Sequence, residues 1–366
     1  MARTRTRRLS LLASTLLALA APAAAQDRAA PRSGREVYQS VCVACHGPDG
    51  RGGVNLELEK IKKPPDFTDC AFAAREPDRG FLAVAHDGGP ARGFSPLMPA
   101  WSALFTEEEL ALAVGHVRTF CADSRWPRGE LNLPLPLVTG KAFPEDEAVV
   151  RVAVSDGSVT TRAVYERRFG PLNQWEVAVP VASVDRPGGG RAGGLGDLAF
   201  GYKRVLAHSH RAGRIVSVSG EVKLPTGNEA RGLGGGTAVF EPFLTFGQLL
   251  GSNGFLQMQG GVGIPASADH DGEVFWRAAV GRSFEQGRFG RQLSPMLEIL
   301  AARTLASGAR VEWDAVPGAQ ITLNRRQHVR LGLGLRVPVT ERRDRSPTVL
   351  TYLLWDWYEG GFGQGW

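Results

Sequence analysis

Beyond position 145 the chain runs with a period of two. Val329, Leu331, Leu333, Leu335, Val337 and Val339 alternate with Arg330, Gly332, Gly334 and Arg336. Val311, Trp313, Ala315, Ala319, Ile321 and Leu323 alternate with Glu312, Asp314, Gln320 and Thr322. Leu256, Met258, Val262 and Ile264 face Gln257, Gln259, Gly261 and Gly263 in the same way, as do Val216, Val218, Val222 and Leu224 against Ser217, Ser219, Glu221 and Lys223. Successive strand side chains point to opposite faces, so each stretch predicts a strand with one apolar and one polar or glycine face. Twelve strands are predicted, near 147–154, 159–168, 173–182, 195–206, 213–224, 237–248, 254–264, 273–284, 293–304, 310–323, 327–339 and 348–358. An even number of long alternating strands predicts an antiparallel transmembrane β-barrel over 145–366, with both ends on one side and the longer loops after odd-numbered strands. The stretches 183–194, 225–236 and 340–347 are long, and 169–172, 249–253 and 324–326 are short. Alternation alone leaves open a soluble sandwich or lipocalin-like barrel, because it does not say which face meets water.

Upstream the period is helical. Ser33-x-x-Glu36 is a capping box ahead of Val37 and Val41, and predicts a helix running into Cys42. Thr106-x-x-Glu109 is a second, opening a helix with Leu110, Val114, Val117 and Cys121 on one stripe and Glu107, Glu108 and Glu109 at its positive end. An all-α domain over 34–125 is therefore expected. Residues 126–144 carry Pro127, Pro134, Pro136 and Pro144, and read as a semi-rigid extended linker.

Composition adds two constraints. Arg3, Arg5, Arg7 and Arg8, an apolar run from Leu9 to Ala21, and Ala23-Ala24-Ala25 predict a secretory signal peptide over 1–25. Without its four arginines the net charge falls from +6 to +2, so the basic pI gives no reason to expect a nucleic-acid partner. No segment after the leader approaches 18 consecutive apolar residues, so no transmembrane helix is expected.

The candidate chemistry sits in the helical part. Cys42-Val43-Ala44-Cys45-His46 is a C-x-x-C-H motif. Thiols three residues apart reach two vinyl groups of one porphyrin, and the adjacent histidine lies beneath the iron. A redox dithiol would need a βαβ setting and a zinc site a second ligand pair; neither is visible. Met98, in Ser95-Pro96-Leu97-Met98-Pro99, is the candidate distal ligand, since flanking prolines hold an extended loop that can lay a thioether on a flat ring. His86 and His116 are the rivals, read as a surface histidine and as one off the apolar face of its helix. His208 and His210 read as a surface pair rather than a metal site, and 232–236 as a loop lacking a phosphate-binding lysine.

On these motifs the 34–125 segment resembles class I cytochrome c: helix, C-x-x-C-H-G, Met-Pro loop, helix. The resemblance implies electron transfer and one covalent haem c, with Cys42 and Cys45 attaching it and His46 and Met98 as proximal and distal iron ligands. Cys70 and Cys121 depart from the basic family. In an oxidising compartment they are expected to pair, the alternative being two buried free thiols. Gly194-Leu-Gly-Asp-Leu, Lys203 and Lys223-Leu-Pro-Thr-Gly227 resemble outer-membrane transporters of aromatic-compound degradation pathways, and Trp366 resembles a barrel insertion signal.

The expected protein is thus multidomain: an electron carrier rather than a catalyst, anchored in outer-membrane lipid with its haem in the periplasm, exchanging electrons with periplasmic redox proteins. The alternative is an outer-membrane channel or transporter whose cytochrome domain gates or oxidises a small-molecule cargo. The charges Glu221, Lys223, Glu312, Asp314, Arg330 and Arg336 would line such a lumen or close it by pairing.

Overall fold

A computed structural model of the chain describes residues 31–52, 64–186, 189–343 and 345–357. The predicted leader and Trp366 lie outside the described residues. The helical part begins where Ser33 caps α1 (Gly34–Val37): its hydroxyl accepts the Glu36 N–H at 3.3 Å, and the Glu36 carboxylate accepts the Ser33 N–H at 2.7 Å. The helix continues through a π turn, Tyr38–Cys42, into α2 (Val43–His46), and Gly47 ends it at φ +72°. Short α3 (Cys70–Ala73) and α4 (Asp78–Asp87) follow, then α5 (Glu107–Val117) from its Thr106 cap.

Helix α5 buries Leu110, Ala113, Val114 and Val117. It stops before Cys121, which the predicted stripe had included. Cys121 instead lies just beyond the turn that follows and is bonded to Cys70. Helices α1 and α5 cross so closely that a Cβ on Gly34 would lie 1.9 Å from the Leu112 carbonyl oxygen. Around that crossing Val37, Phe105, Leu110 and Ala113 form one core, with Val41 and Trp101 packed on it. Tyr38, Phe67 and Val117 form a second.

The sheet contains β1 (Glu147–Ser155), β2 (Ser158–Phe169), β3 (Asn173–Asp185), β4 (Arg191–Leu195), β5 (Ala199–Ser209), β6 (Arg214–Lys223), β7 (Val239–Leu250), β8 (Gly254–Pro265), β9 (Glu273–Arg282), β10 (Phe284–Glu285), β11 (Gln292–Thr304), β12 (Glu312–Thr322), β13 (Val329–Pro338) and β14 (Thr348–Asp356). Every pairing is antiparallel, and β14 pairs with β1 (Leu353 opposite Val150), so the sheet closes. Strands β4 and β5 share one stave beside β3, and β10 continues β9 beside β11, leaving a barrel of 12 staves.

Two details differ from the sequence pattern. The stretch 183–194 was expected as a loop, but β3 and β4 pair there, with Val184 opposite Ala192. The single strand expected over 195–206 is interrupted between β4 and β5, where the Asp197 carboxylate accepts the N–H groups of Gly227 at 2.9 Å and Gly235 at 2.7 Å. This charged acceptor with its two backbone donors holds the chain at the break.

Polarity separates across the barrel wall. Val150, Phe200, Leu244, Val280, Leu297, Leu333 and Leu353 point outward and are 42–58% exposed. Gln174, Ser217, Thr245, Gln257, Glu298, Asp314 and Gln320 point inward and are buried. A water-soluble barrel has the opposite arrangement; this one suits hydrocarbon outside and polar groups within. Aromatic pairs mark both ends of the outer band, Tyr165 with Trp175 at 5.5 Å near one rim and Trp276 with Trp313 at 6.3 Å near the other.

The proline-bearing segment before β1 does not bridge the two parts through solvent. It enters the lumen and returns as a hairpin. Leu131, Leu133, Leu135 and Leu137 are buried against inward side chains that include Phe255, Met296, Val316 and Tyr352. The return is fixed by Lys141, which pairs with Glu145 and donates to Asn132 at 3.1 Å. At the tip one carboxylate, Glu298 of β11, accepts the N–H groups of Leu137 at 2.7 Å, Val138 at 3.2 Å and Thr139 at 2.7 Å. Gln257 donates to the Pro134 carbonyl at 2.7 Å, and Gln259 accepts the Gly140 N–H at 2.9 Å. A buried non-repetitive backbone must find partners for its polar groups, and the inward-facing glutamines and Glu298 supply them.

Candidate functional site

Helix α2 brings Cys42, Cys45 and His46 to one turn, all three partly buried. Gly47 reverses the chain. The Tyr38 hydroxyl then donates to the Gly47 carbonyl at 2.7 Å, and the Gly52 N–H reaches the His46 carbonyl at 2.9 Å. The Phe67 N–H donates to the Gly50 carbonyl at 2.8 Å, which lays the Phe67 ring against the His46 imidazole with centroids 4.7 Å apart. Burial pulls the His46 pKa down to about 4, and its Nδ1 is buried without a hydrogen-bond partner. Burial, reinforced by neighbouring Cys45, pushes the Cys42 thiol up to about 11. The turn therefore offers a neutral imidazole and a protonated thiol at neutral pH.

Met98 comes from the loop between α4 and α5. Gly88 and Gly89 allow the close approach: the Gly89 N–H donates to the Met98 carbonyl at 2.9 Å, and a Cβ on Gly89 would lie 3.1 Å from the Met98 Cβ. Three residues on, Trp101 hydrogen-bonds back to the Ala85 carbonyl at 3.1 Å and packs on the core that includes Val41. Val41, one residue before Cys42, and Trp101, three after Met98, thus pack on the same core.

Residues 29–117 match the family described as "Cytochrome C oxidase, cbb3-type, subunit III". This part of the chain is a cytochrome c domain. No curated protein matches the chain. Among solved structures, an outer membrane channel from Pseudomonas putida F1 aligns at 13% identity and TM-score 0.45, over 61% of this chain and 99% of that one. The KdgM porin aligns at 8% identity and TM-score 0.40, over 58% and 99%.

The cytochrome domain implies haem c, and the donors present fit that group. Two thiols spaced for one porphyrin, a partly buried neutral imidazole and a thioether are the kinds of donor that haem c takes. Near it Cys70 and Cys121 are joined, with Cα atoms 5.2 Å apart, which ties α3 to the end of α5.

Other histidines have local roles. His116 stacks edge-on to Tyr38 at 5.2 Å. His86 is not on open surface. It lies 5.4 Å from the Phe289 ring and 3.0 Å from an Arg288 nitrogen, both in the β10–β11 turn. His208 contacts the Arg125 carbonyl at 3.1 Å. His210 lies near Asp78 and Glu130, but Asp78 already pairs with Arg118 at 2.6 Å and Arg128 at 2.5 Å.

Such contacts make a junction that motif reading missed. Arg75 pairs with Asp146, Arg79 with Glu285 and Arg288 with Glu107. Arginines scattered over a turn, a helix and a loop carry no spacing signal, so the docking was not visible beforehand. Inside the barrel the expected charges occur as pairs: Arg162 with Glu221 at 2.6 Å, Lys223 with Glu241, Arg345 with Asp314 at 2.7 Å, and Arg330 with Asp356 at 3.0 Å. Glu312, half exposed, pairs with the same Arg345 at 3.2 Å, and Arg336 pairs with Asp314 as well.

Proposed function

We propose that the chain is a haem c electron carrier held at the outer membrane by a barrel that its own linker closes. One haem would be attached covalently, each of the thiols of Cys42 and Cys45 adding its S–H across a porphyrin vinyl group to form a thioether. His46 would take the proximal position and Met98 the distal one. When bound, haem supplies one-electron exchange between ferric and ferrous iron. The protein's part is to bury the imidazole, keep it neutral through desolvation, and fix the methionine loop through Gly89. With His46 and Met98 both held to the iron, the group would favour electron exchange over substrate binding.

The filled lumen carries this reading over that of an open channel. The hairpin at 131–143 packs four leucines across the barrel and satisfies its backbone from the wall. An even stave count puts both barrel ends on one side, with the cytochrome domain attached there. That side is assigned to the periplasm, where haem attachment occurs and redox proteins can reach the domain. The alternative, a channel or transporter whose cytochrome domain gates or oxidises a cargo, is favoured by one feature. A cavity of about 490 Å³ lies against β2, β3, β5, β6 and the 232–235 loop, with Arg162, Glu221 and Lys223 among its lining residues. A small polar cargo could enter it.

The test uses the purified full-length protein. Haem should remain on the chain after denaturing electrophoresis and be lost from Cys42→Ala/Cys45→Ala. Met98→Ala should lose the methionine-to-iron charge-transfer band. The wild type should show no steady conductance in planar bilayers. A colourless protein would remove the electron-carrier reading, and steady conductance would move the assignment to the channel.

A further inference from the structure

The methionine loop is held from two sides, and one of them belongs to the barrel. In the turn between β12 and β13, the Arg326 guanidinium donates to the Gly93 carbonyl at 3.0 Å and sits 4.6 Å from the centroid of the Phe94 ring. In the other direction buried Arg92 donates to the Arg325 carbonyl at 3.1 Å. Gly93 and Phe94 are tied to the ligand position through one residue. The Phe94 N–H donates to the Gly89 carbonyl at 2.8 Å, and the Gly89 N–H donates to the Met98 carbonyl at 2.9 Å. Gly89 is closely packed, since a Cβ there would lie 2.3 Å from the Ser95 carbonyl oxygen and 3.1 Å from the Met98 Cβ. Phe94 and Met98 are thus hydrogen-bonded to the two sides of one residue.

The barrel side is equally constrained. Asn324 accepts the N–H groups of His328 at 2.9 Å and Val329 at 3.1 Å, which closes the turn directly onto β13. Gln327, at φ +63°, reaches across to the Gly290 carbonyl of the neighbouring turn at 2.7 Å. A charge-assisted hydrogen bond and a cation–π contact thus join a rigid turn to the loop that carries the methionine.

We propose that the β12–β13 turn is a clamp on the Met98 loop, with Arg326 as a positioning residue that sets how firmly Met98 stays at the iron. This rests on Met98 being the distal ligand. The barrel then acts on the haem as well as anchoring it. Loosening the clamp should make the thioether easier to displace and lower the midpoint potential, because His/Met ligation holds the potential up.

The experiment is an imidazole titration of the oxidised full-length protein in detergent, read by loss of the methionine-to-iron charge-transfer band, with the midpoint potential measured alongside. Arg326→Ala should lose the band at about tenfold lower imidazole, the scale of one hydrogen bond to a charged group. Its potential should fall. Arg326→Lys, which keeps the charge but not the planar stack, should fall between. Arg342→Ala, in the loop after β13, should titrate as wild type. Retained haem content and heat-modifiable electrophoretic mobility would show that the variants fold. If Met98→Ala kept the band, the ligand assignment and the clamp would both fall. If Met98→Ala lost it while folded Arg326→Ala titrated as wild type, the clamp alone would fall. If Arg326→Ala did not fold, Arg92→Lys, expected to shift the titration the same way, decides; its matching the wild type would overturn the clamp.

Discussion

The carboxylate of Glu298 receives both the N–H and the hydroxyl of Thr139, each at 2.7 Å, deep inside the barrel. Because Leu137 and Val138 donate to the same side chain, one residue of β11 anchors the tip of the hairpin. Glu298→Ala leaves these donors without an acceptor, at about 1–3 kcal/mol for each group stranded away from water. The expected outcome is intermittent conductance in planar bilayers from a protein that still shows folded mobility on unheated gels. A silent Glu298→Ala barrel would show that the leucines alone hold the hairpin.

Gly34 lies where α1 meets the α5 backbone. Gly34→Ala must push the helices apart, at roughly 1–3 kcal/mol by the usual scale of overpacking. Amide exchange in both helices should accelerate, while exchange in the barrel strands stays unchanged. Equal protection in the variant would contradict the contact.

Cys70 and Cys121, 51 positions apart, enclose α4, the methionine loop and α5. Replacing both by serine should lower the stability of the cytochrome domain by about 2–4 kcal/mol, through the freedom regained by the unfolded loop. The check is the urea midpoint followed by the haem spectrum, in the full chain.

Acid should loosen the domain through its caps. Glu109 is held below its ordinary value mainly by the backbone N–H of Thr106, and Glu36 mainly by the Ser33 hydroxyl. Both are depressed in the folded state. Their stabilisation is therefore complete above the unfolded value of 4.5 and disappears as pH falls through the lower folded values. Exchange in the first turn of α5 should rise below that point. Glu109→Gln should flatten the dependence; an unchanged pH profile in that variant would assign the effect to other groups.

The barrel was legible because lipid and lumen impose opposite polarity on alternate residues. Leu331, Leu333 and Leu335 state the outward face as plainly as Gln257 and Gln259 state the inward one. The hairpin was harder to read. Proline at 127, 134, 136 and 144 suggested a solvated linker, yet the segment also carries Leu131, Leu133, Leu135 and Leu137 at every second position, an apolar run that an exposed connector does not need. That run was the available signal, and its meaning depends on a wall made far downstream. Glu298 in Met296-Leu-Glu-Ile-Leu was the complementary sign, a buried acid without a local partner. In the cytochrome domain the C-x-x-C-H turn and the methionine loop carried local signatures. Arg326 did not, since its role exists only once the two parts meet.

Tyr352, on the final strand, donates its hydroxyl to the Leu135 carbonyl at 2.6 Å. The ribosome makes Leu135 long before Tyr352, and β14 is the strand that meets β1 to complete the cylinder. The closing stave thus gains a bond from the hairpin it encloses. A chain with that segment deleted should close its seam less firmly and be more sensitive to protease.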